Sequence, residues 1–346
     1  MYKHILRPVL FWFSPETIHH FIAWMLRVIC IIPGGRAVLR GMFAYKGGDL
    51  EREVFGIRFP NPVGLAAGFD KNGNLYREMN AVGFGFVEVG TVTPKGQPGN
   101  PKPRSFRLKE DQALVNRMGF NNEGLDNMIA NLRKRKEKDN IVIGANLGKN
   151  SVTPNEDAPG DYLKLFRSLY GYADYFAVNV SCPNVKDVTA LQNRASVMSI
   201  LDPLFEFRRG QNEYRPILLK ISPDLSDSEI DTMVDIMVET PLDGIIATNT
   251  TTSREGLKSP RKLVDKIGNG GLSGAPLTER AIEVVRRVHQ RSEGRYPIIG
   301  VGGIMTPQDA KRMIDAGASL VQVYTGFIYG GPTFVKKICK YLSKQK

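Results

Sequence analysis

The sequence predicts an α/β fold, a (β/α)8 TIM barrel with an amino-terminal helical extension. Three observations carry this expectation. Eight short apolar, β-branched segments recur along the chain: Val63–Ala67, Phe86–Gly90, Ile141–Asn146, Tyr175–Val180, Ile217–Ile221, Gly244–Thr248, Ile298–Val301 and Leu320–Tyr324. Helical patterns lie between them, clearest over Asp161–Tyr172, Asp227–Glu239, Thr278–Gln290 and Thr306–Ala316. Strand and helix in alternation imply a parallel sheet covered by helices, and eight units over about 300 residues suit a closed barrel. Finally, no Gly-x-Gly-x-x-Gly follows the first strand, which disfavours a doubly wound open sheet.

Residues 1–45 read as the extension and 46–346 as the barrel domain. Ser14-Pro15-Glu16 is a helix start, with Ser as N-cap, Pro in the first turn and an acid beside it. That helix is expected to stop at Pro33-Gly34-Gly35, and a second to follow over Arg36–Phe43. The apolar run Phe21–Ile32 is interrupted by Arg27 and is short of the ~20 residues that a membrane span needs. It has no convincing signal-peptide cleavage site after it. Residues 1–46 hold six basic side chains against Glu16 alone, a local charge of +5. Apolar helices with basic residues among them suit an anionic membrane interface. The blander reading, a helical pair packed on the next domain, is the weaker one. Residues Glu53–Phe59 read as a hairpin turning near Gly56. Ser226 ahead of Glu229, and Thr306-Pro307, mark later helix starts.

The formal net charge of +12 is compatible with nucleic acid, an anionic membrane or anionic small ligands. The densest basic run, Arg133 to Lys136, reads as the solvated end of a helix, and no RNA-binding extension is visible. Cys30, Cys182 and Cys339 are far apart and odd in number, so they suggest neither a disulfide framework nor a metal site. Four scattered histidines add no metal motif.

The carboxyl ends of barrel strands carry the chemistry in this architecture. Here they read Ala67-Gly68-Phe69-Asp70-Lys71, Gly90-Thr91, Asn146, Asn179 to Cys182, Lys220, Thr248-Asn249-Thr250, Gly302-Gly303 and Tyr324-Thr325-Gly326. The glycines of the last two ends, with Gly270 to Gly274, suit a phosphate cradle, because backbone N–H groups can approach an anion there. Asn116, Asn146, Asn179, Asn184 and Asn249 supply donors and acceptors for a planar polar heterocycle. Five at one face favour a binding site over ordinary turn asparagines. Lys71 and Lys220 add charge, one for a reduced anionic cofactor and the other for a carboxylate. Cys182, at a strand end before Pro183-Asn184, reads as a reactive thiol able to act as general base; an inert buried thiol is the alternative.

These segments resemble the dihydroorotate dehydrogenase family. The carriers are Leu65 to Lys71, Gly90 to Pro94, Asn116-Arg117-Met118-Gly119-Phe120-Asn121-Asn122, Asn179-Val180-Ser181-Cys182-Pro183-Asn184, Ile246 to Thr251, Gly271 to Gly274 and Ile299 to Ile304. The resemblance implies FMN on top of the barrel and oxidation of (S)-dihydroorotate to orotate in pyrimidine synthesis. It places FMN against Ala67, Gly68, Phe69, Asp70, Lys71, Thr91, Asn146, Asn179, Lys220, Thr248, Gly274, Gly303, Tyr324 and Thr325. It places the pyrimidine against Lys71, Asn116, Arg117, Met118, Gly119, Phe120, Asn179, Asn184, Asn249 and Thr250. Cys182 stands at the base position, taking the C5 proton while hydride leaves C6 for flavin N5.

The extension is similar to that of the membrane-associated class 2 enzymes, where it forms a quinone tunnel. His19, Arg107 and Tyr324 match tunnel positions. Class 2 enzymes usually carry Ser at the base position and class 1 enzymes Cys. The extension decides for a quinone, because the base acts on the other half-reaction. Residues 185–189 also depart from the Pro-Gly-Leu-Arg usual in the class 2 lid. The expectation is therefore a monomer, peripheral on the cytoplasmic face of the cell membrane, binding no nucleic acid and no metal. The alternatives are a class 1-like enzyme using fumarate or NAD, an FMN barrel reductase acting on uridine in RNA, and a non-catalytic phosphate-binding barrel.

Overall fold

Eight parallel strands close into a ring: β1 (Val63–Leu65), β2 (Phe86–Val92), β3 (Val142–Leu147), β4 (Tyr175–Asn179), β5 (Ile217–Ile221), β6 (Gly244–Ala247), β7 (Ile298–Val301) and β8 (Leu320–Val323). Their order is β4-β5-β6-β7-β8-β1-β2-β3. The computed structural model describes residues 2–136, 139–181 and 191–345. The predicted barrel is observed, with strand bounds moved by at most about two residues. Both faces of these strands are buried, which is why they read as continuous apolar runs.

Alternate side chains point into the ring. Val63, Leu65, Val87, Val89 and Ile143 pack outward beneath the helices. Phe86, Val142, Tyr175, Leu218, Ile246, Ile299 and Leu320 fill the lower interior. Two inward glycines make room for the rings. A Cβ at Gly64 would lie 2.3 Å from the Phe86 ring, and one at Gly144 would lie 2.1 Å from that of Tyr175. The hairpin Arg52–Val54/Ile57–Phe59 turns through Phe55 and Gly56 and plugs this end, with Phe59 edge-on to Phe86 at 5.2 Å. Towards the carboxyl ends the inward positions become polar: Glu88, Asn146, Asn179, Lys220, Thr248 and Gln322 are all buried.

Helices Ala158–Leu169, Asp227–Glu239, Thr278–Arg291 and Pro307–Asp315 cover the ring where helical patterns were expected. Ser226 with Glu229, and Thr306 with Asp309, form complete capping boxes. The roof over the carboxyl ends was not expected. Ser105–Leu108, Ala113–Asn116 and Gly271–Gly274 form a three-stranded antiparallel sheet, and Lys95–Gln97 pairs with Asn122–Gly124.

In the extension, Pro15–Ile31 starts at Ser14, whose Oγ accepts from Thr17 N–H at 3.2 Å. It meets Gly35–Phe43 at a bend of 117°. Two further turns, Tyr2–Leu6 and Arg7–Leu10, precede the expected start. One face is fastened to the barrel: Arg36 and Arg77 converge on Asp139, Arg40 donates to Asn80 at 2.8 Å, and Arg104 pairs with Glu16 at 2.7 Å. The opposite face leaves Trp12, Phe21, Trp24, Ile31, Val38 and Met42 exposed, Trp12 at 79% and Ile31 at 80%. Among the described residues no single helix is long and apolar enough to cross a membrane.

Candidate active site

One cavity of about 830 Å³ runs from beneath the extension, at Glu16, His19 and Ala23, over Phe69 and Tyr324 to Lys220, and on to Asn116 and Met118–Glu123 in the roof. That volume suits a cofactor and a small substrate.

On the floor a row of side-chain amides crosses the barrel. Asn146 Nδ2 donates to Glu88 Oε1 at 2.7 Å, so its Oδ1 faces Thr91 Oγ1 at 2.5 Å and Asn179 Nδ2 at 3.0 Å. Asn179 Oδ1 then accepts from Ser181 Oγ at 3.2 Å and Asn249 Nδ2 at 3.3 Å. Asn249 Oδ1 takes the Thr250 N–H at 2.8 Å. Lys220 is buried, with Nζ 3.4 Å from Glu88.

At one side stand the glycines. Gly274 and Gly303 have φ of +104° and +68°, a region L side chains disfavour. A Cβ at Gly303 would lie 2.2 Å from Thr278 Cα, and one at Gly326 would lie 1.9 Å from the Ile304 carbonyl. The short helix Thr325–Gly330 begins here, and the Ser273 and Thr325 hydroxyls lie 2.8 Å apart.

The roof segment Asn116 to Phe120 is braced from behind. Asn100 donates to Arg117 O and Met118 O at 2.9 and 3.1 Å, and Gln97 donates to Gly119 O at 3.0 Å. Gly119 and Phe120 both have positive φ, which turns the segment over the cavity. The Arg117 side chain leaves it. Its guanidinium donates to the Ile267 and Asn269 carbonyls and lies over Phe106.

Under the extension, His19 meets Phe69 edge-on at 4.7 Å, and Phe69 meets Tyr324 at 5.5 Å. Burial pushes the Tyr324 hydroxyl up to about 12, so it stays a neutral phenol. Burial, with the charges of His20, Lys71 and Arg27, pushes His19 down to about 4. The ring is therefore neutral at physiological pH. Its folded value lies below the ordinary ~6.5, so the stability it contributes is full above that value and falls away between pH ~6.5 and ~4. An NMR titration of the His19 ring should show a midpoint near 4; a midpoint near ~6.5 would mean a solvated ring.

Most expected residues line this cavity, including Ala67, Gly68, Phe69, Asp70, Lys71, Thr91, Asn116, Asn179, Lys220, Thr248, Asn249 and Thr250. Asn146 lies fully buried in the row beneath. Arg107 does not line it: its guanidinium sits 4.4 Å over the Phe11 ring and donates to Phe13 O at 2.6 Å, behind the extension. Cys182, Asn184 and the expected lid at 185–189 lie outside the described residues.

The sequence model of the family described as "Dihydroorotate dehydrogenase" matches residues 49–345. The chain belongs to the dihydroorotate dehydrogenase family. A relative named dihydroorotate dehydrogenase (quinone), from Christiangramia forsetii, is 53% identical over 338 residues, covering 98% of this chain and 97% of its own. The protein of that name from Thermosynechococcus vestitus is 46% identical, covering 99% and 96%. The crystal structure of the Eimeria tenella enzyme in complex with ferulenol is 37% identical, with a TM-score of 0.83 over 95% of this chain and 90% of that one.

Dihydroorotate dehydrogenases are flavin-dependent, and two features suit a flavin here. The glycine cradle excludes side chains where a phosphate would approach N–H groups. The buried Gln322 Oε1, on the cavity floor, has no hydrogen-bond partner among the described residues, and a buried unpaired acceptor calls for one. Glu88 and Gln322 themselves were missed in the sequence. Their signal was a lone charge in Phe86-Val87-Glu88-Val89 and a lone amide in Leu320-Val321-Gln322-Val323, each at an inward position.

Proposed function

We propose that this dihydroorotate dehydrogenase uses FMN as its flavin, passes electrons to a membrane quinone, and removes the C5 proton of (S)-dihydroorotate with Cys182. The enzyme is of the quinone type, as its relatives' names are, and serves pyrimidine synthesis. The observation that carries the reading is the single cavity joining His19 beneath an apolar extension to the polar roof segment at Asn116. A quinone and a pyrimidine can then reach one flavin from two sides.

Bound there, FMN would supply the acceptor for hydride and the path of two electrons to the quinone. Gly274, Gly303 and Thr325 would hold its phosphate with backbone N–H groups and a helix start. Lys220 would supply positive charge to it, with Thr91, Asn146 and Asn179 beside Lys220 on the cavity floor. Lys71 would meet the substrate carboxylate, and Asn116, Asn179, Asn184, Asn249 and Thr250 would hold its carbonyl and N–H edges. Cys182 would take the C5 proton, and the amide clamps would hold the pyrimidine in place for it. Asn179 and Asn249 can do this because the row on the floor leaves neither amide free to flip.

The exposed Trp12, Phe21, Trp24 and Ile31, with a charge of +5 over residues 1–46, support peripheral attachment to an anionic membrane. The test is a steady-state screen of the purified protein for orotate formation. Turnover with a soluble quinone, and release of FMN on denaturation, are expected. Turnover only with fumarate or NAD would establish the class 1-like acceptor instead.

A further inference from the structure

We propose that Glu88 is a positioning residue that sets both the charge of the cofactor floor and the direction of its amides. Glu88 is fully buried at an inward position of β2. Its two oxygens meet donors from four other strands. Oε1 accepts from Asn146 Nδ2 at 2.7 Å and from Lys220 Nζ at 3.4 Å; Oε2 accepts from Gln322 Nε2 at 2.6 Å and from Tyr175 OH at 3.3 Å. All four are placed as donors, so the group they converge on is a carboxylate.

Two consequences follow from an acceptor-only group at this point. The first is polarity. Because Asn146 must give its NH2 to Glu88, it must show its carbonyl to Thr91 and Asn179. Asn179 must then show its own carbonyl to Ser181 and Asn249. Gln322 likewise gives Glu88 its NH2 and keeps Oε1 for the cavity. One buried carboxylate thus orients amides on both sides of the barrel. The second consequence is charge. Lys220 and Glu88 form a buried pair of zero net charge on the cavity floor. A buried ion pair is a poor device for stability, since apolar side chains would fill the same space without the desolvation cost. Beneath a site where negative charge arrives, it has a use. The carboxylate holds the ammonium in place and tempers how strongly it favours the reduced, anionic cofactor.

The inference rests on the reading that a flavin sits above Lys220, and the experiment separates the two. The measurement is the flavin midpoint potential, by dye-coupled reductive titration, of four proteins: wild type, Glu88→Gln, Lys220→Met and the double variant. Glu88→Gln leaves Lys220 uncompensated, so the oxidised/reduced equilibrium should move at least about tenfold towards reduced flavin, roughly 30 mV upward for a two-electron couple. Lys220→Met should move it about as far the other way, and the double variant should lie between the singles. An unchanged or lowered potential in Glu88→Gln, with Lys220→Met still shifted, would overturn the role of Glu88 and leave the flavin reading intact. No shift in Lys220→Met would overturn that reading. If Glu88→Gln does not fold, the comparison of Lys220→Met with the double variant decides: the double should be higher, and equal values overturn the proposal.

Discussion

Cys182→Ala should slow reduction of the bound flavin by dihydroorotate about 10²- to 10⁴-fold, the usual contribution of a positioned base. Flavin content should be unchanged. The expectation comes from the strand-end position that the sequence gives Cys182. Ser181, the residue before it, is fully buried, and its Oγ bonds Asn179 and accepts from Asn249 at 3.0 Å. The chain therefore leaves β4 anchored to the amide row that would clamp the substrate. Cys182→Ser should keep part of the rate, because Ser can also relay a proton. It should lose the rise towards alkaline pH, because a thiol ionises near ~8.5 and a hydroxyl does not. Anaerobic stopped-flow bleaching of the flavin measures both variants. Full speed in the Ala variant would remove Cys182 from the mechanism.

Deleting residues 1–45 should cost turnover with a soluble quinone at least about tenfold, or ~1.4 kcal/mol of barrier. Flavin bleaching by dihydroorotate in a single half-reaction should fall much less. Glu16, His19 and Ala23 wall one end of the cavity, whereas the roof segment at Asn116–Phe120 is held by Gln97 and Asn100 from the barrel domain. Side chains beside the roof also reach the extension. Arg104 pairs with Glu16, donates to the Pro98 and Asn100 carbonyls, and accepts the Arg117 N–H at 2.9 Å. A modest rise in the KM for dihydroorotate is therefore expected on deletion. Equal losses in both half-reactions would mean that the extension only supports the fold.

The barrel was legible because parallel strands buried on both faces leave long apolar runs, and because capped helices separate them. Much of the site was legible for a related reason. A parallel barrel gathers every strand's carboxyl end on one face, so Lys220, Asn179 and Asn249 could be grouped without knowing any distance. Side-chain direction was less legible. Arg117 sits within a cavity-lining segment, yet it turns to the Ile267 and Asn269 carbonyls. Arg107 turns to the extension's Phe11 and Phe13. The roof was hidden because it depends on non-local pairing: Asn116 lies opposite Gly271, 155 residues away. Glu88 and Gln322 each stand as a lone polar residue in an apolar run, but a strand buried on both faces has no alternation to say whether that residue points into the ring or beneath the helices.

If dihydroorotate reaches the flavin from the roof side and a quinone reaches the same flavin from beneath the extension, the two half-reactions can be separated in time. Anaerobic double mixing does this: the protein with residues 1–45 in place is first mixed with dihydroorotate, then with a soluble quinone, fumarate or NAD. The flavin should bleach, and the quinone alone should restore its colour at a rate at least equal to steady-state turnover. Bleaching followed by recovery only with fumarate or NAD, or no bleaching at all, would contradict this two-sided access to the flavin.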